Sequence, residues 1–250
     1  MRKQRGQRGR AERPRPEVLY GRNPVREALR AGRRPVHRVW ATAGAAREPW
    51  LAEAGVPVEV VASAAEVAAR CGSDAHQGVC ADAGPYPYAA AAELLAREAP
   101  LLVALDEVQD PQNLGAIART AECAGADGLI VPERRSAEVT PAAAKASAGA
   151  VEHLPIARVR NLADFLADAK AAGCWCYGAD AGGAARYDEP DYAGGVVLVV
   201  GAEGKGLRPR VASTCDALVS IPVRGRVDSL NVSAASAILL FEISRSRGFA

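Results

Sequence analysis

Residues 196–200 read VVLVV between Gly195 and Gly201, five branched apolar side chains with no polar residue to turn toward water. A strand solvated on one face alternates apolar and polar residues. This run therefore predicts a strand covered on both faces, as in a parallel sheet with helices on either side. Parallel neighbours need long crossover connections, usually helical. The surrounding chain supplies them: strand LLVALDEV, a helix from Asn113, strand GLIVPE, a helix opened by Thr140-Pro141, strand IARV and a helix from Asn161. Strands CWCYGAD and GVVLVVG, a short helix near 207–215, strand ALVSIPV and a long final helix follow. The predicted fold class is α/β, mostly parallel.

Residues 17–84 read as a separate small α/β unit. It has strands at VLYG, VHRVWA and VPVEVV, a helix from Asn23-Pro24 to Gly32, another around Trp50, and one opened by the capping box Ser63-x-x-Glu66. GPYPYAA, residues 84–90, carries two prolines and no periodic pattern, which marks a linker. The expected organisation is a disordered basic tail over 1–16, a small domain over 17–84, a linker over 85–98 and the parallel domain over 99–250. There is no internal repeat. Aromatic residues make up only 5% of the chain and alanine is abundant, so the helices should pack closely through small side chains.

The net charge of +2 conceals an asymmetry. The first fifteen residues hold seven basic residues and one acid, a local net of +6, and residues 16–250 carry a net of −4. A second basic cluster, Arg22, Arg26, Arg30, Arg33, Arg34 and Arg38, faces only Glu27 in its stretch of sequence. Both clusters point to a polyanion, with phosphate contacts supplying affinity rather than sequence choice. Arg22, Arg26, Arg33, Arg34 and Arg38 are the candidate RNA-binding residues. No apolar stretch approaches the roughly 18 residues of a membrane span, and no signal-peptide core follows the basic start, so a cytoplasmic protein without a membrane partner is expected. The six cysteines form no Cys-x-x-Cys pair and read as reduced core residues, with no metal site.

Three segments carry candidate chemistry. In LDEVQDPQNLGAIARTAECAG, Asp110-Pro111 turns out of a strand, Asn113 sits where a helix N-cap would, Gly115 permits a close approach, and Arg119 follows about one and a half turns on. Capping alone could account for Asn113, and a surface ion pair for Arg119. In VVGAEGKGL the buried strand runs into Gly201, Glu203, Gly204 and Gly206. This is neither a P-loop, since Gly206 stands where Ser or Thr should follow Lys205, nor Gly-x-Gly-x-x-Gly. A tight structural turn remains open for it. In IPVRGRVDSLNVSAASAILLFE, the polar trio Ser229, Asn231 and Ser233 stands directly before the last helix, where it can cap, hold a ligand, or do both.

Taken together, DPQNLGAIARTAECAG, VVGAEGKGL and IPVRGRVDSLNVSAASAILLFE resemble the SpoU (TrmH-like) family of RNA ribose 2'-O-methyltransferases. LYGRNPVREAL and HQGV are similar to the small ribosomal-protein-like RNA-binding domain of its large-subunit rRNA guanosine branch. The resemblance spans residues 17–247 and departs mainly in the loop, where Val223, Arg224 and Arg226 stand. It implies a C-terminal trefoil-knotted SPOUT methyltransferase domain, a rare exception to ordinary chain topology. It also implies S-adenosylmethionine held by backbone groups near Gly201, Ile221 and Leu230, and a homodimer that completes the site. Asn113, Arg119, Glu203, Ser229 and Asn231 would be the catalytic set. Two alternatives remain open at this level: methylation of tRNA or of an rRNA adenosine, and a non-catalytic RNA-binding or ribosome-assembly protein on the same scaffold.

Overall fold

The apolar run forms β10 (Gly195–Gly201), buried along its whole length, at the centre of a seven-stranded sheet. The computed structural model describes residues 17–227 and 229–248; the basic tail expected over 1–16 lies outside the described residues. β10 pairs in parallel with β5 (Leu101–Asp106) and β8 (Cys174–Ala179). The sheet continues past β5 through β6 (Gly128–Pro132) to β7 (Ile156–Val159), and past β8 through β11 (Ala217–Ser220) to β9 (Ala185–Arg186), with every pairing parallel. Because the strands all run one way, the loops that leave them share one edge, where ligands of open α/β sheets bind.

Alternate residues of β10 enter opposite halves of the core. Val196, Leu198 and Val200 join Ile117 of α5 (Pro111–Cys123) and Leu239 of α9 (Val232–Ser246). Val197 and Val199 join Leu166 of α7 (Leu162–Ala171) and Val211 of α8 (Pro209–Thr214). This is the two-sided burial that the sequence requires. At Gly115 the close neighbour is α6 (Pro141–Ala146): a Cβ there would lie 2.5 Å from the Ala146 Cβ and 2.6 Å from the Ala143 carbonyl oxygen. Gly115 thus serves helix packing, not a ligand. Thr140 and Asn161 cap α6 and α7 as expected.

The smaller sheet has the order β1 (Glu17–Tyr20), β4 (Val79–Ala83), β2 (Val36–Thr42), β3 (Val58–Val61). α1 (Arg22–Ala31), the short α2 (Pro49–Ala52) and α3 (Ala64–Cys71) connect it. β4 is the strand that the sequence pattern does not announce, because Asp82 and two alanines blur its VCADA run. Ser63 accepts the Glu66 N–H at 3.3 Å, and the Glu66 carboxylate returns to the Ala62 N–H at 3.1 Å, one residue outside the expected box.

The segment 85–98 is packed rather than loose. It contains α4 (Ala91–Leu95), Ala89 bridges to Ala157, and the buried Tyr86 directs its hydroxyl to the carbonyls of Val151 and Leu154, both at 3.0 Å. One apolar cluster runs from Leu19 and Val39 near the smaller sheet to Leu105 and Ile117 of the larger. Two arginines bind at this junction, and the burial of one, Arg34, corrects its assignment to an RNA surface. Arg34 is buried; its guanidinium binds Glu152, with Nε 3.0 Å from Oε2, and reaches Glu17 at 2.8 Å. Burial works against the Arg34 cation, and Glu152 and Glu17 outweigh it, holding the group above its ordinary range. Arg33 donates to the carbonyls of Leu154 and Pro87 at 3.2 and 3.3 Å.

Candidate active site

Three distant stretches meet where β10 ends. Gly201 must be glycine, since a Cβ there would fall 2.2 Å from the Gly206 carbonyl carbon as the loop 202–208 folds back on the strand. Gly204 and Gly206 take φ of 74° and 63°, which lets the loop turn tightly and present Glu203 outward.

α5 begins earlier than expected. Asp110, not Asn113, is its N-cap, accepting the Gln112 N–H at 2.9 Å, because Pro111 is suited to the first helical position and shifts the cap one residue upstream of itself. Asn113, released from capping, donates Nδ2 to Glu203 Oε2 at 3.4 Å. Asn231 does two jobs at once. Its Oδ1 caps α9 by accepting the Ser233 N–H at 2.9 Å, while its Nδ2 donates to Asn113 Oδ1 at 3.1 Å and to Glu203 Oε1 at 3.4 Å. The carboxylate of Glu203 therefore holds two amides, and the amides hold each other.

Beside this cluster is a cavity of about 540 Å³ lined by Gly201, Glu203, Ile221, Ser229, Leu230 and, unanticipated from sequence, Asp180. Its volume falls within the roughly 300–1,000 Å³ of small-molecule sites. All three candidate cofactor residues line it. Asp180 ends the strand motif CWCYGAD on the ligand edge of the sheet, the one signal that could have drawn attention to it. Arg119 stands apart. It is exposed, does not line the cavity, and lies six residues beyond Asn113, which turns it about 120° around α5.

Residues 100–241 match the SpoU rRNA Methylase family, and residues 18–89 match RNA 2'-O ribose methyltransferase substrate binding. The chain belongs to the SpoU family. A Mycobacterium avium protein named as an uncharacterized tRNA/rRNA methyltransferase is 41% identical over 242 residues, covering 92% of this chain and 78% of that one. Among solved SpoU structures, the methyltransferase AviRb from Streptomyces viridochromogenes in complex with AdoMet aligns with a TM-score of 0.79 at 29% identity, over 93% of this chain and 90% of that one. An AdoMet-bound rRNA methyltransferase from Sinorhizobium meliloti aligns with a TM-score of 0.78 at 32% identity, over 92% of this chain and 87% of that one.

In the substrate-binding part of this SpoU protein, the remaining candidate arginines are matched by acids, and two of these, Glu48 and Glu59, lie outside the stretch counted in the sequence. Arg22 pairs with Glu48 at 2.6 Å, Arg26 with Glu27 at 2.8 Å and Arg38 with Glu59 at 3.3 Å. Arg22 and Arg38 remain about half exposed, with 47% and 53% of their side chains open to solvent. All six cysteines are free; Cys123 is exposed, which corrects its placement in the core, because it ends α5 on the outer face. Among the described residues no group of three or more His, Cys, Asp or Glu side chains could hold a metal, and no helix is long and apolar enough to cross a membrane.

Proposed function

We propose that the protein transfers a methyl group from S-adenosylmethionine to the ribose 2'-oxygen of an RNA nucleotide, a guanosine of large-subunit rRNA. The observation that carries this is the Asn113–Glu203–Asn231 cluster standing against the cavity at the end of β10. The cavity fits the cofactor chemically. Ile221, Leu230 and Leu239 offer apolar walls to a purine, Gly201 and Gly204 bring backbone close, and the Asp180 and Glu203 carboxylates suit a cationic ligand. When bound, S-adenosylmethionine supplies a methyl group already activated on a sulfonium.

The residues of the chain then have to align the hydroxyl and assist loss of its proton. Asn113, Glu203 and Asn231 form a rigid polar corner, and Ser229 lies at the cavity wall to orient the ribose. Arg119 acts as a cation that stabilises the developing alkoxide. Neutralising an arginine at pH 7 would cost about 8 kcal/mol, so water or an RNA phosphate takes the proton. Since Arg119 lies off the cavity of its own chain, a homodimer that brings it to the other copy's cavity completes the site. The exposed Ile238 and Phe241 on α9 support such pairing.

A trefoil knot in residues 99–250 belongs to the same reading, supported by the likeness to AdoMet-bound SpoU enzymes and by the approach of segments 201–206 and 221–230 around one cavity. In the proposed division of labour, residues 17–84 bind substrate RNA through Arg22, Arg26 and Arg38, the tail adds phosphate contacts, and 85–98 joins the units. The test is methylation of ribosomal RNA and of tRNA by the purified protein with labelled cofactor. Label in alkali-resistant dinucleotides, traced to guanosine by nucleoside mass spectrometry, is expected. Label confined to bases overturns ribose transfer, and label in tRNA alone moves the substrate.

A further inference from the structure

One residue of β5 stands beside the loop 201–208 where it begins and binds it where it ends. Gly201 lies opposite Asp106 in the ladder between β10 and β5. At the far end, Arg208 donates its backbone N–H to Asp106 Oδ2 at 2.8 Å and its Nε to Oδ1 at 2.7 Å. The Asp106 side chain is completely buried, and Asp106 in turn holds the Arg208 guanidinium above its ordinary range. A buried acid costs a parallel strand stability unless its charge is paired and hydrogen-bonded, and here Arg208 satisfies both carboxylate oxygens.

Glu107 extends the arrangement. Its φ is 59°, and its carboxylate lies 3.7 Å from the Arg208 guanidinium and 3.4 Å from that of Arg135, which itself has φ of 58°. Left-handed backbone at non-glycine residues is held against local preference and gathers at functional sites. Two of the three members of the polar corner, Asn113 and Glu203, lie on stretches that start from this anchor. From Asp106 the chain runs four residues to Asp110, the cap of the helix that carries Asn113, while the loop that Asp106 clamps carries Glu203.

We infer that Asp106 and Arg208 are positioning residues for methyl transfer, a clamp that fixes the loop 201–208 so that Glu203 meets Asn113 and Asn231 and the loop forms the cofactor-cavity wall. Arg208 does not line that cavity, so its effect passes through the loop. The inference rests on the methyltransferase reading.

The test compares full-length Arg208→Met, Arg208→Lys, Asp106→Asn and the Arg208→Met/Asp106→Asn double variant with wild type. The measurements are calorimetric titration with S-adenosylhomocysteine, thermal melting and steady-state methyl transfer. Arg208→Met is expected to weaken S-adenosylhomocysteine binding and lower kcat by roughly 10- to 100-fold, the scale of lost supporting contacts around a site, while the RNA KM changes little. Lysine, which keeps the cation, should recover part of both, and the double variant should be little worse than either single one because the two residues act as a unit. Wild-type affinity and kcat in Arg208→Met would overturn the clamp. So would losses that add in the double variant, or losses that follow the melting temperature alone with no recovery by lysine. The affinity arm needs no RNA, so a wild-type protein that binds S-adenosylhomocysteine yet methylates no ribose removes the methylation reading while the clamp is still judged.

Discussion

Asn231 donates its side-chain amide to Asn113, 118 residues earlier in the chain, at 3.1 Å, while its carbonyl oxygen caps the helix that begins at the next residue. Capping and site assembly are thus separable by magnitude. Asn231→Ala should cost about 1 kcal/mol of stability, the worth of one N-cap. Methyl transfer should fall on the order of 100-fold, because the polar corner loses a member and the ribose its alignment. Circular dichroism melting beside a methyl-transfer assay reads both. A variant that unfolds outright would give Asn231 a purely structural role.

Arg119 provides a test of both charge and chain origin. Arg119→Lys should keep measurable activity, since a cation stays near the oxygen although the planar fork is gone, and Arg119→Ala should keep almost none. When the Arg119→Ala and Asn231→Ala proteins are unfolded and refolded together, half of randomly formed dimers are mixed and each has one intact site. About a quarter of wild-type activity should return. No recovery, with mixed dimers shown by differential tagging, would mean that Arg119 serves its own chain.

What could be read in the sequence was what depends on local chemistry. The unbroken 196–200 run demanded two-sided burial and obtained it, and Thr140, Asn161 and Ser63 announced their helices because a capping oxygen acts within three residues. The start of α5 was misplaced where two local rules compete, an Asn that caps well and a Pro that prefers the first turn, and the proline prevailed. β4 stayed hidden because its pairing with β1 and β2, not its own pattern, makes it a strand. The same limit applied to charge. Counting within a stretch left Arg34 unpaired, whereas its partner Glu152 lies 118 residues away.

Burial should keep the core thiols protonated and slow to react across the neutral range. It pushes Cys80, Cys176 and Cys215 up to about 12, so each stays protonated well above the ordinary thiol range near 8.5. In the folded protein their alkylation should stay slow at pH 7 and at pH 9 alike, because the thiolate is a minute fraction at both even though it grows about tenfold per pH unit, and it should jump on unfolding. Mass spectrometry after timed iodoacetamide labelling, with and without guanidinium, resolves the sites. Rapid labelling of Cys176 in the native state would contradict its burial.

The arginines of the substrate-binding part should divide into two kinds that different experiments detect. Arg34 is enclosed with Glu152, each side chain only 1% exposed, and removing one partner leaves the other charge buried and uncompensated. Arg34→Met should therefore cost about 3–5 kcal/mol and lower the melting temperature by roughly 10 °C, with little effect on how RNA binding responds to salt. Adding Glu152→Leu should restore much of the stability, because a well-packed apolar pair replaces the ion pair without an orphaned charge. Arg38 behaves oppositely. Its pair with Glu59 is half exposed, so Arg38→Gln should change stability by less than about 1 kcal/mol. If Arg38 touches a phosphate of single-stranded RNA, that variant should flatten the log–log salt dependence of RNA binding by about 0.7. Deleting residues 1–15, with their seven basic side chains, should flatten it further and leave the methylated nucleotide unchanged, because phosphate contacts carry no sequence choice. Melting curves and RNA titrations at several salt concentrations separate the two kinds. A reduced salt slope in Arg34→Met at unchanged stability would return that residue to the RNA surface.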